Sequence, residues 1–171
     1  FEGNVLYSDT AHKLTEPYRG NGMINLGADI DNSEGSLFSG SMKEVRLWND
    51  TLSSGELDAH NYKTLMGHEH QLIAYYPLSE TQGNVAKDVA SGADLTLSNT
   101  TWDVKMGHSL RIDKKAITAD PMQFTQTPNS SYTLMFWFKT EGKPATTDTI
   151  AIFSAGRKDL PEVGMNKLAI R

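Results

Sequence analysis

The chain has 171 residues, 38% of them hydrophobic and 22% charged, and its 21 acidic and 16 basic side chains leave a net charge of −5. A chain of this length can bury roughly 70% of its unfolded surface, so the composition excludes a disordered polymer and the lack of any basic block excludes nucleic acid as an expected partner. No apolar run approaches the ~20 residues needed for membrane insertion, and a cysteine count of zero excludes disulfides, thiolate zinc sites and a cysteine nucleophile.

In chain order, the first strand is expected at residues 4–7 and the second at 22–27. An acidic loop follows, carrying Asp29, Asp31, Asn32 and Glu34. Hard oxygen ligands at that spacing can hold Ca²⁺, so Asp29, Asp31 and Glu34 are the candidate metal ligands. The loop is not an EF-hand: counted from Asp29, the sixth position is Glu34 rather than Gly and the twelfth is Gly40 rather than Glu. A solvated hairpin loop is the plainer reading.

Residues 37–48 form the most informative strand. Period-2 alternation puts Met42, Glu44, Arg46 and Trp48 on one face and Val45 and Leu47 on the other. Asn49-Asp50 then supplies turn chemistry. Ser53 followed by Glu56 is a capping box, so a short helix is expected over 54–65, with Leu57 and Leu65 near one face and Gly67 ending it. His68 and His70 flank Glu69 and can begin a metal site, but no third ligand is evident and the segment reads as a linker.

Further strands are expected at 71–78, 95–97, 109–113, 132–140, 149–154 and 166–170. Many short strands punctuated by Gly, Asn, Asp and Pro predict an all-β, two-sheet antiparallel jelly-roll sandwich with that single short helix. In the strongest strand, Tyr132, Leu134, Phe136 and Phe138 form a core face, while Thr133, Met135, Trp137 and Lys139 face the other way. Bulk on both faces predicts a central position in its sheet.

Three stretches resemble the laminin-G-like, concanavalin A-like jelly roll of secreted and surface proteins. The first is 40–56, containing Glu44-Val45-Arg46-Leu47-Trp48-Asn49, preceded by Ile24-Asn25-Leu26-Gly27. It is similar to the closing segment of that family. The second is Leu72-Ile73-Ala74-Tyr75-Tyr76-Pro77-Leu78-Ser79-Glu80 with Asp88-Val89-Ala90-Ser91-Gly92, similar to the opening segment. The third is 131–140, similar to an internal strand of the family.

The closing segment therefore precedes the opening one. Residues 1–66 resemble the C-terminal part of one module, 67–70 a linker, and 71–171 the N-terminal part of a second. The two parts are expected either to pack as one rotated sandwich or to swap between copies into a dimer. A chain starting at Phe1 without Met or signal peptide is expected of a mature or excised segment.

The resemblance implies a non-catalytic recognition or adhesion module of a large secreted or cell-surface protein, bacterial in origin. Its expected partner is a glycan or an extracellular protein, beside neighbouring modules of the same chain. The alternatives are a structural spacer repeat in an adhesin stalk, or an accessory domain of a glycoside hydrolase. Lys43 stands where the family often has Asp near a structural calcium, and the alternating carboxylates of the superfamily's catalytic members are missing. No enzyme activity and no cofactor other than Ca²⁺ is expected.

Trp48, Trp102 and Trp137 with Tyr75 and Tyr76 are aromatics of the kind that stack on pyranose rings, though core packing is their commoner use. Trp137, Trp48 and Arg46 are the candidate ligand-binding residues, with an Arg46–Glu44 ion pair as the plainer reading for Arg46. Glycosylation sequons begin at Asn49, Asn99 and Asn129, and in a bacterial chain they are turn chemistry.

Overall fold

The computed structural model describes residues 23–28, 37–98, 100–104, 108–113, 117–119, 132–141, 150–156 and 166–170. The strand expected at 4–7 and the acidic loop with Asp29, Asp31 and Glu34 lie outside these residues, as does Asn99. The elements are β1 (Met23–Leu26), β2 (Ser39–Trp48), α1 (Ser54–Asn61), β3 (Leu72–Tyr76), β4 (Val85–Ala86), β5 (Leu95–Thr96) and β6 (Thr100–Asp103). They continue with β7 (Ser109–Asp113), β8 (Ile117–Ala119), β9 (Thr133–Thr140), β10 (Ile150–Gly156) and β11 (Asn166–Ile170).

Two antiparallel sheets result. One runs β11-β10-β1-β8-β5-β4, and the other runs β3-β2-β7-β6 with β9 also paired to β2. Among the described residues the protein is thus all-β with one short helix. β1 pairs β8 and β10, while β2 pairs β3, β7 and β9. Both strands precede residue 49, and every partner follows residue 71.

β2 organises its sheet. Residues Gly40 to Met42 pair both β7 and β9, so those two strands must lie on opposite edges of β2. Residues Arg46 to Trp48 likewise pair both β3 and β9. One edge of β2 is therefore covered by β9, and the other is shared end to end by β7 and β3. Gly40 is required by the closeness of that packing, since a Cβ there would sit 2.2 Å from the Lys139 carbonyl oxygen and 2.6 Å from the Phe38 ring.

Where β2 passes from β7 to β3, it bulges. Lys43 faces Trp137 and Arg46 faces Met135, so β2 spends one more residue than β9. Glu44 absorbs the extra step at φ 55, and its N–H donates to the Pro77 carbonyl at 3.1 Å. A bulge exchanges the faces of the residues beyond it. Met42, Val45 and Leu47 consequently share the main core, whereas uninterrupted alternation had put Met42 with Arg46 and Trp48.

Residues of both sheets meet in one apolar cluster. Leu26, Ala86, Leu95, Ile152 and Phe153 of the first pack with Met42, Val45, Leu47, Ala74, Tyr76, Leu110 and Ile112 of the second. Tyr76 anchors it by donating its hydroxyl to the Ala93 carbonyl at 2.8 Å, and burial pushes the phenol's pKa far above its ordinary value. A second, smaller cluster of Trp48, Leu65 and Tyr75 lies on the outer face of β2 and β3, under α1.

Three expectations change here. β9 is paired only to β2 among the described residues, so the bulk on both its faces does not mark a central strand. Tyr132, Leu134 and Phe136 pack on the main core while Met135 packs on the small cluster; burial on both sides comes from what covers the sheet's two faces. Phe138, expected in the core, is 44% exposed and touches Phe38 edge-on at 6.3 Å.

The helix is also shorter than 54–65. It ends at Asn61 with Tyr62 as its cap, and Leu65 reaches the small cluster from the loop beyond. Finally, β4, β6 and β8 had no expected counterpart. Strands of 2, 4 and 3 residues leave little alternation to register, although β1 and β5, of 4 and 2 residues, do fall within the stretches expected at 22–27 and 95–97.

Candidate functional site

The outer face of β2 is built around Arg46. Its residue is 2% exposed, and its guanidinium donates to the carbonyls of His60 and Lys63, the latter at 2.7 Å, and to the carboxylate of Glu44. Those two carbonyls belong to the C-terminal turn of α1 and the loop after it, where backbone acceptors lack helical partners and a cation is favoured. Arg46 also lies 5.3 Å over the Tyr75 ring. The Tyr75 hydroxyl donates to Glu44 at 3.0 Å, and burial together with the Glu44 charge raises its pKa.

This latch explains why α1 exists where it does. None of its residues is buried, so no apolar stripe holds it to the sheet. It is fixed at the start by the capping box, in which Glu56 N–H donates to the Ser53 hydroxyl and the Ser53 N–H returns to Glu56 at 2.8 Å. Arg46 fixes the other end. The capping box was legible in the sequence; the latch was not, because it depends on the bulge that turns Arg46 outward.

Holding the helix end in place presents Tyr62. This residue is 82% exposed, and its ring lies 5.8 Å from that of half-buried Trp137 at 34°. The pair borders a cleft of about 380 Å³ that Lys43, Lys63, Asn61 and Thr64 also line. A neighbouring cleft of about 210 Å³ shares Lys43 and Trp137 and adds Ser109, Phe138 and Lys139. Lysines thus make up most of the charged lining: Glu44 is the one carboxylate there among the described residues, and Arg46 and Tyr75 already engage it. On a chain with a net charge of −5 this face is locally positive.

Of the candidate ligand-binding residues, then, the structure places Trp137 on an open cleft and Arg46 beneath the same cleft as its inner support. Trp48 is elsewhere. It is 1% exposed, belongs to the small cluster and stacks on His60 at 4.7 Å. Tyr62 and Lys63 were missed by sequence reasoning; the available signal was an aromatic-basic pair one step past a helix end.

The other polar and aromatic residues of the resembling and linker segments serve local structure. Asp88 is 6% exposed, accepts the backbone N–H groups of Tyr75 and Ala90 at 2.9 Å each, and also takes the Ser91 hydroxyl. Trp102 donates its indole N–H to the Gly83 carbonyl at 3.0 Å. Glu69, between the two histidines, closes a turn by accepting from Met66 and Gly67 at 2.7 and 2.9 Å. Gly67 adopts φ +90, and any Cβ there would meet the Val89 carbonyl oxygen at 2.2 Å. Among the described residues no group of three or more His, Asp or Glu side chains is placed to hold a metal ion, and no helix is long and apolar enough to cross a membrane.

No protein-family model matches the chain, and neither a curated protein nor a solved structure matches it significantly.

Proposed function

We propose that this chain is a non-catalytic recognition module with a laminin-G-like jelly-roll sandwich, binding a glycan at a cell surface or in a secreted assembly. The observation that carries the reading is the Tyr62–Trp137 pair, an exposed aromatic surface beside open clefts lined by Lys43, Lys63 and Lys139. Exposed rings offer a face for the C–H side of pyranoses. The lysines add charge-assisted donors, which favour sugars bearing carboxylate or sulfate groups. Two adjoining clefts sharing one tryptophan suit an extended chain better than a single sugar.

The fold part of this reading rests on two antiparallel sheets with a common core and on the Glu44–Trp48 stretch at the centre of one of them. The module boundaries are proposed accordingly: residues before about 66 complete the sheets formed by residues after about 71. Because, among the described residues, β1 and β2 pair only with later strands, the same hydrogen bonds can form between copies, and a swapped homodimer is part of the proposal.

Glycan-array binding followed by calorimetry tests the function. Trp137→Ala and Tyr62→Ala are each expected to weaken binding by roughly tenfold or more, on the scale of one lost stacking contact. Array-wide silence of the folded protein sinks the glycan reading and leaves a spacer module in its place. Light scattering after size exclusion checks the dimer, and a strictly monomeric species removes the swapped form.

A further inference from the structure

Among the described strands, β3, β4, β6, β9 and β11 have a neighbour on one edge only. Four of these edges offer little to a further strand. β4 and β6 are 2 and 4 residues long, and β11 carries a lysine within its 5 residues. The edge of β3 is covered at Tyr75, whose N–H donates to the Asp88 carboxylate and whose carbonyl accepts from Val89 N–H, both at 2.9 Å. Shortness, charge and covering loops are the usual protections of a sheet edge.

β9 has none of them. It runs for 8 residues without a proline, and its one charge is Lys139 near the end. Among the described residues its main chain pairs only with β2. Leu134, Met135, Phe136, Trp137 and Phe138 are five large apolar residues in succession, and none of them is buried. Phe138 is 44% exposed, and its ring lies 5.7 Å from that of Phe136. The inner row of β9 therefore carries apolar surface out to the edge of the sheet, where the ladder stops.

The two faces of this edge restrict what pairs with it. An added strand places alternate residues beside Leu134, Phe136 and Phe138, where apolar side chains extend the core. Its other residues lie beside Trp137 and Lys139, on the cleft that Lys43 also lines. Acidic side chains there gain charge-assisted hydrogen bonds. The nearby carboxylates of this chain are already engaged, Glu44 by Arg46 and Glu141 by Arg111. A second copy fits less well, because two β9 edges joined about a twofold axis keep their outer faces on one side and gather both sets of lysines there.

We propose that the free edge of β9 binds an extended segment of another protein, added as a strand in which apolar and acidic residues alternate. The site is separate from the proposed glycan contact, since its hydrogen bonds are made by the main chain of β9.

Amide hydrogen exchange of the intact chain, with light scattering on the same sample, tests it. In the free protein the β9 amides bonded to β2 are expected to exchange slowly and the alternate ones fast. Slow exchange along all of β9 overturns the proposal: in a monomer the chain covers its own edge, and in a dimer a second copy does. The probe is a blocked peptide of β9's length with alternating valine and glutamate. It is expected to slow the fast set by about tenfold or more at saturation. The valine–lysine counterpart is expected to bind about tenfold more weakly, and the valine–glutamate peptide N-methylated throughout, which keeps its side chains but has no donors, to lose binding. Lys139→Glu is expected to transfer the preference to the valine–lysine peptide. No slowing at millimolar peptide, equal binding of either control, or a preference unchanged in Lys139→Glu overturns the proposal. Glycan-array silence with peptide capture intact, or the converse, keeps this result apart from that of the glycan reading.

Discussion

The inner and outer faces of β2 are closed by different physics. On the inner face Met42, Val45 and Leu47 meet the other sheet in an apolar cluster whose members are almost all below 5% exposure. On the outer face a helix with no buried residue is held over Trp48 and Tyr75 by one guanidinium and a capping box. The inner closure is spread over many non-directional contacts, while the outer one depends on a few directional bonds. What differs is tolerance: the first loses stability gradually, the second loses its geometry when one group is removed. Clefts fall on the second kind of surface, and so do the unpartnered Arg46 Nε, Trp48 Nε1 and His60 Nδ1, because a polar closure leaves gaps that an apolar one would fill.

The largest effect that sharpens this contrast is expected from Leu110→Ala. Leu110 is fully buried between the sheets, and its truncation should cost about 3 kcal/mol, lowering the denaturant midpoint of the whole molecule in a single transition. A change confined to α1 would break the comparison.

Arg46→Met should cost slightly less, about 2–3 kcal/mol, because it leaves the carbonyls of His60 and Lys63 and the Glu44 carboxylate short of a donor. Hydrogen exchange should accelerate across residues 54–65 and stay slow in β7. Uniform acceleration across both regions would show that the outer face is not a separate unit.

The smallest effect is electrostatic. Glu56 and Glu69 have lowered folded-state pKa values, so their stabilisation is present above the ordinary 4.5 and is lost as pH falls through the lower folded values. Thermal stability should therefore decline below about pH 4.5, and Ser53→Ala should both lower the melting temperature by about 3 °C at neutral pH and shrink that acid-induced decline. A pH profile identical to the parent would detach the capping box from the acid response.

Strand-forming runs bounded by turn residues located β1, β2, β3, β5, β7, β9, β10 and β11 in the sequence, and the longest of them, β2 and β9, also carried a legible alternation of faces. Ser53 and Glu56 marked the helix start, because a capping box is a contact between residues three apart. Nothing local distinguishes Glu44 as the residue that bulges. Glu44 does so because β7 gives way to β3 along one edge of β2 while β9 continues along the other. The chain by itself therefore determined the strand-rich class and the helix start, which are properties of nearest neighbours. Tertiary structure decided which way Arg46 points, how early α1 stops, and that Tyr62 meets Trp137, residues separated by most of the second sheet's strands in sequence. Those outcomes depend on long-range pairing that shifts a face by one residue, and a period-2 pattern carries no record of such a shift.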